Sequence, residues 1–453
     1  MYRNSLYNKN IHSFIFDNKS SLINLIKKEA TIKLRGRVLE STSLLIRASV
    51  PLVSIGELCY ITLSNKKEHL LAQVVGFREK DVFLMPLGDS TGLSPNSEVI
   101  PTNKPFNLKV GYELLGRMLN GLGQAMDSLP PLESIASLID WPLHRPAPDP
   151  YLRKAVNEEL SLGIRAIDGF LSIAKGQRIG LFAGSGVGKS SLMGQMVRNS
   201  ESKIVIVCLV GERGREVMDF VKDTLGPEGL KKSVIIVATS DTPSLVRYLS
   251  AYVATSIAEW FRDQGEDVLF LMDSATRFAR AQREIGLALG EPAARQGYPP
   301  SVFAELPKLM ERTGCNHLGS ITAIYNVLVQ GGDFEEPIAD EMRGILDGHI
   351  ILNRDLAQKN HWPAIDVLPS LSRVMNKIAD KDHLDVSNYL RNLMALYEKN
   401  RDLILLGAYK EGMDEQLDLA IKKIPQINKF LQQKSFEKSS YKETKKYLME
   451  LME

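Results

Sequence analysis

The stretch Gly184-Ser-Gly-Val-Gly-Lys-Ser190 has the composition of a loop built to hold phosphate. Glycines at 184, 186 and 188 let the backbone wrap through Ser185 and Val187 so that successive N–H groups turn toward one anion. A helix beginning near Lys189, with Ser191 in its first turn, would add its dipole at the same place. Lys189 can reach the β- and γ-phosphates of a nucleotide, and the Ser190 hydroxyl can ligate Mg²⁺. One position departs from the usual pattern: Ala183 stands where its first Gly is expected.

Two acids fit the same chemistry. Asp273 closes the apolar run Val268-Leu-Phe-Leu-Met272. A carboxylate at the end of a buried strand suits the metal side of a phosphate site, against the plainer reading of a helix N-cap. Glu212, in Gly211-Glu-Arg213, ends the strand that follows the loop's helix. There a carboxylate can orient and polarise a water attacking the γ-phosphate, against the plainer reading of a salt bridge. Arg373, in Ser370-Leu-Ser-Arg373, reads by itself as an ordinary surface arginine.

The elements that must place these residues follow from patterning. Arg178–Ala183, Lys203–Val210, Ser233–Ala238 and Val268–Met272 are near-continuous apolar strands separated by helical segments, one running from about Pro243 to Arg262. This alternation predicts an α/β domain with a parallel sheet covered on both faces. Upstream, short runs at 31–38, 56–62, 70–75 and 81–85 alternate apolar with polar residues and are parted by turn formers, which predicts a small β-barrel. The proline-rich run Pro142–Pro150 is an extended connection. After about residue 375, Val386, Tyr389, Leu390, Leu393, Leu396 and Tyr397 keep helical spacing, and the Lys/Glu-rich end from Ser435 is expected to be solvated. The expected organisation is an arm with an amphipathic helix (1–30), a barrel (31–100), a nucleotide-binding domain (101–374) and a helical domain (375–453). The arm's Leu22, Leu25 and Ile26 share a helical face that suits either docking or packing on its own domain.

Composition narrows the classes. A chain of 453 residues accommodates about three domains. Lys plus Arg is 56 and Asp plus Glu is 54, so a net charge of +2 argues against a nucleic-acid coat or an acidic tail protein. The apolar fraction of 44% supports more than one core. No run approaches the roughly 18–20 apolar residues of a membrane span, and no signal peptide is expected. Cys59, Cys208 and Cys315 lie far apart, without metal or disulfide spacing, and Cys208 sits in a buried strand.

Taken together, Gly184–Ser190, Gly211-Glu-Arg-Gly-Arg-Glu216, Asp273-Ser-Ala-Thr-Arg-Phe278, Gly297-Tyr-Pro-Pro-Ser-Val-Phe303, Gly319-Ser-Ile-Thr-Ala323, Ile345-Leu-Asp-Gly-His-Ile350 and Pro363-Ala-Ile-Asp366 resemble the ATPases of type III protein export, flagellar and injectisome. That group is similar to the catalytic β subunit of rotary ATP synthases. The resemblance runs from about residue 31 almost to the C-terminus. It implies a RecA-like nucleotide core between an N-terminal β-barrel and a C-terminal helical domain, assembled as a homohexamer that hydrolyses ATP with Mg²⁺. By the same resemblance, Lys189 and Ser190 hold phosphate and metal, Asp273 supports the metal and Glu212 activates water. Arg373 becomes the arginine finger of the neighbouring subunit's site, Arg213 and Arg277 stand near the γ-phosphate, and Trp362 takes the place of the Tyr or Phe that stacks on adenine.

The implied role is a motor at the inner face of the cytoplasmic membrane, peripheral and without nucleic acid. It would serve delivery or unfolding of export substrates and release of their chaperones. The implied partners are a stator-like regulator, a central stalk protein, export-gate membrane proteins and chaperone–substrate complexes. Gln282-Arg-Glu-Ile285, Gly290-Glu-Pro292, Tyr397–Leu403, Gly407-Ala-Tyr409 and Pro425–Gln433 resemble the flagellar branch more than the injectisome branch. A rotary synthase subunit shares most motifs, but no strongly acidic loop marks the helical domain. A ring translocase of RNA or DNA is disfavoured by the +2 charge. A non-catalytic ring subunit would not need Lys189, Glu212 and Asp273 together.

Overall fold

The computed structural model describes residues 34–64, 68–329 and 333–452. The amphipathic arm therefore lies outside the described residues. The chain divides into two compact units, the break falling between Lys104 and Pro105.

The first unit is built on six strands: β1 Gly36–Ser41, β2 Ile46–Ser49, β3 Leu58–Thr62, β4 His69–Arg78, β5 Asp81–Pro86 and β6 Glu98–Pro101. They close into a barrel in the order β1-β2-β5-β4-β3-β6, with β6 returning to β1. Alternation does the work of sorting side chains. Val38, Ile46, Ala48, Cys59, Ile61, Leu70, Ala72, Val74, Val82, Leu84 and Val99 point inward to form the core. Gly36 sits where a Cβ would come within 2.4 Å of the Ser49 carbonyl oxygen, so the β1–β2 contact demands glycine. The runs read at 56–62, 70–75 and 81–85 correspond to β3, β4 and β5, while the run at 31–38 overlaps β1 at 36–38 and its residues 31–33 lie outside the described residues. The four-residue strands β2 and β6 are too short for alternation to reveal.

The second unit begins with β7 Asn107–Val110, β8 Met118–Asn120 and β9 Ile139–Pro142, where β7 and β9 form a separate antiparallel ribbon. β10 Glu159–Leu160 and β11 Ile173–Ala174 form another. The main sheet uses β12 Arg178–Ala183, β13 Ile204–Glu212, β14 Ser233–Thr239, β15 Asp267–Asp273, β16 Gly314–Cys315, β17 Ser320–Leu328, β18 Gly348–Leu352 and β19 Ile365–Ser372. Its order is β19-β18-β12-β17-β15-β13-β14-β8, with β16 paired to β17 outside that path. The ladders are parallel except those of β16 and β19. β13 is buried at every position, as expected of a strand covered on both faces. Glu212 and Asp273, read from sequence at the ends of their strands, are the last residues of β13 and β15.

The helices Lys381–Leu405, Glu415–Leu431 and Tyr441–Glu450 follow β19. They share one hydrophobic core with the sheet, through Leu390, Leu393, Phe430 and Leu448 packed with Ile167 and Phe170 of the helix Arg165–Phe170. The Phe430 ring meets Phe170 edge-on at 5.9 Å and Tyr447 at 5.1 Å. The expectation of a solvated end from Ser435 is corrected here. Ser440 and Glu443 form a reciprocal capping box, Thr444 and Leu448 are buried, and the Lys423 ammonium donates to the Leu451 carbonyl at 3.0 Å. Composition misled because the Lys and Glu side chains occupy one face of a helix whose other face carries Tyr447 and Leu448.

Phe430→Ala should destabilise this shared core by about 3–5 kcal/mol. Chemical denaturation monitored by helical circular dichroism checks it, and an unchanged midpoint would contradict the packing described.

Candidate functional site

Four neighbouring strands bring their carboxyl ends to one edge of the sheet: β12, β17, β15 and β13. The loop 184–188 leaves β12 there. Gly186 and Gly188 both adopt φ of 77°, a conformation that side-chain-bearing residues rarely take. Buried Val187 anchors the loop between them. Ala183, the departure noted in the sequence, belongs to the ladder rather than the turn. It lies opposite Leu328 and Leu352, and its carbonyl accepts the Val329 N–H at 3.0 Å. A strand residue needs no glycine, so the substitution is accommodated. The helix Lys189–Asn199 starts on Gly188 with no side-chain cap. Its first-turn N–H groups are thus free of an intrahelical acceptor and face an anion site.

Lys189 is the centre of an ionic cluster. Its Nζ donates to Asp273 Oδ1 at 2.8 Å and stands 3.8 Å from Glu212 Oε1. Asp273 Oδ1 also accepts from Asn326 Nδ2 at 2.7 Å. Arg277 Nη2 approaches Glu212 Oε1 to 3.4 Å, and its stem packs where a Cβ on Gly211 would lie 2.9 Å away. Glu212 and Asp273 are both buried. Despite its two cationic neighbours, Glu212 Oε1 has no hydrogen-bond partner among the described residues. Burial, and then the charge of Asp273, push the Glu212 carboxyl up to about 7, against the pull of Lys189 and Arg277. Glu216 moves the opposite way, held down chiefly by its hydrogen bond with Glu212.

The surrounding cleft, about 690 Å³, is lined by Gly184, Ser185, Ser190, Arg213, Arg280 and Arg354 among others. Arg213 lies on its rim, exposed and paired with Glu216 at 3.2 Å. Asn326, Glu216, Arg280 and Arg354 were not singled out by sequence reasoning. Only Asn326 carried a usable signal, an amide inside the otherwise apolar, buried end of β17.

Behind Gly188 and Ser191 a second cavity of about 870 Å³ opens between the loop's helix and the helical region. Trp362 forms part of its wall. A Cβ on Gly188 would meet the indole Cζ3 at 2.6 Å, so the ring packs directly on the loop's last glycine. The indole N–H donates to Asn360 Oδ1 at 2.8 Å, and the Trp362 carbonyl accepts the Gln433 N–H at 2.8 Å. The ring remains 38% exposed, leaving surface for a flat partner.

Arg373 is not part of this cluster. At the loop end of the sheet Ala183 lies opposite Leu352, and Leu352 opposite Ile365. At the other end Gly348 lies opposite Ser372, and Arg373 follows it. Four strand residues separate the two ends, roughly 13 Å at 3.3 Å each. Arg373 is exposed there, its Nη2 donating to the Arg343 carbonyl at 3.2 Å.

The donor set suits a phosphate-bound Mg²⁺. Ser190 offers a hydroxyl and Asp273 a carboxylate on the same cleft edge, and no cluster of three or more His, Cys, Asp or Glu forms a self-contained metal cage among the described residues. The edge as a whole combines an anion cradle, a lysine cation held between two carboxylates and a buried carboxyl that titrates near 7, which is the equipment for phosphoryl transfer to water.

Comparison with known proteins agrees with this geometry. Residues 163–372 match the ATP synthase alpha/beta family, nucleotide-binding domain. Residues 38–103 match the beta-barrel domain of the same family, and 379–450 match the T3SS EscN ATPase C-terminal domain. The chain is 48% identical to the flagellum-specific ATP synthase of Bacillus subtilis, over 91% of its own length and 94% of that protein. It is 46% identical to the type 3 secretion system ATPase of Xanthomonas euvesicatoria, over 90% and 92%. The assembled ATPase EscN of the enteropathogenic E. coli type III secretion system superposes with a TM-score of 0.87 at 43% identity, covering 92% of this chain and all of that one.

In the nucleotide-free protein Glu212 should titrate near pH 7, far above an ordinary carboxylate. Asp273→Asn removes a charge that raises it, so the titration should move to lower pH. Side-chain carbon NMR across pH 4–9 reads both, and a Glu212 midpoint near 4 in the parent chain would contradict the cluster as described.

Proposed function

Because the chain belongs to the ATP synthase alpha/beta family, within its type III export ATPases, we propose that the loop edge hydrolyses ATP to drive protein export. The observation that carries this reading is the Lys189–Asp273–Glu212 cluster set against the glycine loop. Glycine-loop N–H groups receive the phosphate chain. Lys189 then exchanges its carboxylate contact for the β- and γ-phosphates, which frees Asp273. Ser190 and Asp273 are the residues that would hold Mg²⁺, which when bound supplies charge neutralisation across the phosphates. Glu212 Oε1, without a donor of its own, accepts a hydrogen bond from the attacking water and takes up its proton. A carboxyl poised near 7 matches that task at physiological pH. Arg277 and Arg213 bear on the same phosphate from the β13 side. Trp362 receives the base in the second cavity, its indole replacing a smaller ring and fixing the pocket's floor against Gly188.

Arg373 completes the site of the next subunit. Its place at the opposite end of the sheet from its own loop supports a role in trans. The related EscN has been described assembled, and also in complex with its central stalk EscO, with a TM-score of 0.85 for the latter. These support a homohexamer here and a stalk partner seated on it. The barrel (31–100) would join the ring, the nucleotide domain (101–374) would do the chemistry, and the helical domain (375–453) would meet the stalk. No helix of the described residues is long and apolar enough to cross a membrane. Recruitment to the inner face of the cytoplasmic membrane would then rest on a stator-like regulator and on the export-gate proteins, with chaperone–substrate complexes as cargo. We assign the chain to the flagellar system, supported by flagellum-specific relatives at 48% and 45% identity and by the sequence features of the tail.

Lys189→Ala and Glu212→Gln should each abolish phosphate release from ATP, and wild-type turnover in either would sink the assignment. Arg373→Ala should cut turnover by about 10³-fold or more while ATP binding survives. Parent specific activity should rise with protein concentration as rings form, whereas a flat profile would speak for a self-sufficient monomer. Restoration of filament growth in a flagellar export mutant, and none in an injectisome mutant, would support the flagellar assignment.

A further inference from the structure

The helix Pro337–Ile345 ends beside Arg373, and its last turn carries Arg343. The two arginines are tied together: the Arg343 carbonyl, at the negative end of that helix, accepts the Arg373 guanidinium at 3.2 Å. Arg373 also donates its own N–H to the Asp347 carbonyl at 3.1 Å. The Arg343 side chain is exposed and makes no hydrogen bond or ion pair among the described residues. Asp347, the acid of the adjoining turn, is committed to Arg178, whose Nε it meets at 3.1 Å. Asp340 of the same helix pairs with Arg295 at 2.8 Å. Half-buried His349 lies within the electrostatic reach of both guanidinium groups, its Nε2–H donating to the Pro369 carbonyl at 2.9 Å. Burial first, and then the charges of Arg343 and Arg373, hold its pKa below the usual histidine range. The edge thus carries two arginines joined through the Arg343 carbonyl, with no carboxylate assigned to either guanidinium among the described residues. Like charges so placed repel, and an anion brought by another molecule relieves them.

We propose that Arg343 is a second residue given in trans, binding the phosphate chain of the nucleotide held by the neighbouring subunit's loop. The inference rests on the reading of Arg373 as the trans finger. The two share one hydrogen bond and one edge, so an interface that delivers Arg373 to a nucleotide delivers Arg343 beside it. The roles divide by attachment. Arg373 is held at its guanidinium by the helix end and presents a fixed charge to the transferring phosphate. Arg343 is held only by its backbone, and its free guanidinium can follow the phosphate chain as a binding contact.

The test uses Arg343→Ala and Arg343→Lys in the full-length chain, with a fluorescent ADP and a non-hydrolysable ATP analogue as probes. Binding is measured once with the ring assembled, verified by sedimentation, and once with dilute monomer. In the ring, Arg343→Ala should weaken both nucleotides by about 10-fold or more, the size of a lost charge-assisted hydrogen bond, and Arg343→Lys by less. In the monomer neither variant should differ from the parent. Equal losses in ring and monomer would mean that Arg343 acts through its own fold, and no loss in either would remove it from the site; each overturns the proposal. Loss of the ring itself, with nucleotide affinity per assembled ring unchanged, would make Arg343 an assembly contact and overturns it as well. Arg373→Ala run in parallel separates the two readings. Should it leave turnover intact, the trans finger fails. Should it abolish turnover while Arg343→Ala binds normally, only Arg343 fails.

Discussion

A lysine ammonium held between two buried carboxylates organises this molecule. Lys189 cannot be buried unpaired, and neither can Asp273 or Glu212, since several kcal/mol of desolvation attend each isolated charge. Together they satisfy one another only because β12, β17, β15 and β13 end in register along one edge. That register depends on strands buried on both faces, which in turn depends on the helices that cover them. The arrangement is stable without ligand and yet incomplete, because Glu212 keeps an oxygen without a donor. On the proposed reading, the remaining demand for a partner would be met by the water that attacks the γ-phosphate.

Much of this was legible in the residues. The loop glycines, Lys189 and Ser190 declare themselves by spacing, and Glu212 and Asp273 by ending apolar runs. These signals are local: the glycines report a backbone conformation that few other residues adopt, and the others report a charge or hydroxyl where an apolar run ends. What the sequence hid was set by tertiary geometry. Arg280 and Arg354 line the cleft because the fold brings them there, and nothing in their neighbours along the chain says so. The packed helix at 441–450 was concealed by its charged face, since composition averages over a direction that a helix resolves. The four-residue strands β2 and β6 were concealed by their shortness, since two inward residues do not make a period.

The helical region is more than an appendage to the sheet. Its Phe430 shares a core with Phe170, and its Gln433 holds the backbone of Trp362, whose ring lies on the last glycine of the phosphate loop. A path of hydrogen bond and ring contact therefore joins the cavity beside the loop to the final helices. Any tilt of those helices relative to the sheet changes the space left in that cavity.

Read as a residue given in trans, Arg373, set apart from its own loop, would give the assembly a polarity. Each subunit would then offer a finger at one end of its sheet and accept one at the other, so the contact would be heterologous and every copy would have a distinguishable predecessor and successor. In an open row the terminal loop always lacks a finger, however many copies join. Closure alone brings the number of complete sites up to the number of subunits, and the resulting circle has a handedness along which events at one site can be passed to the next.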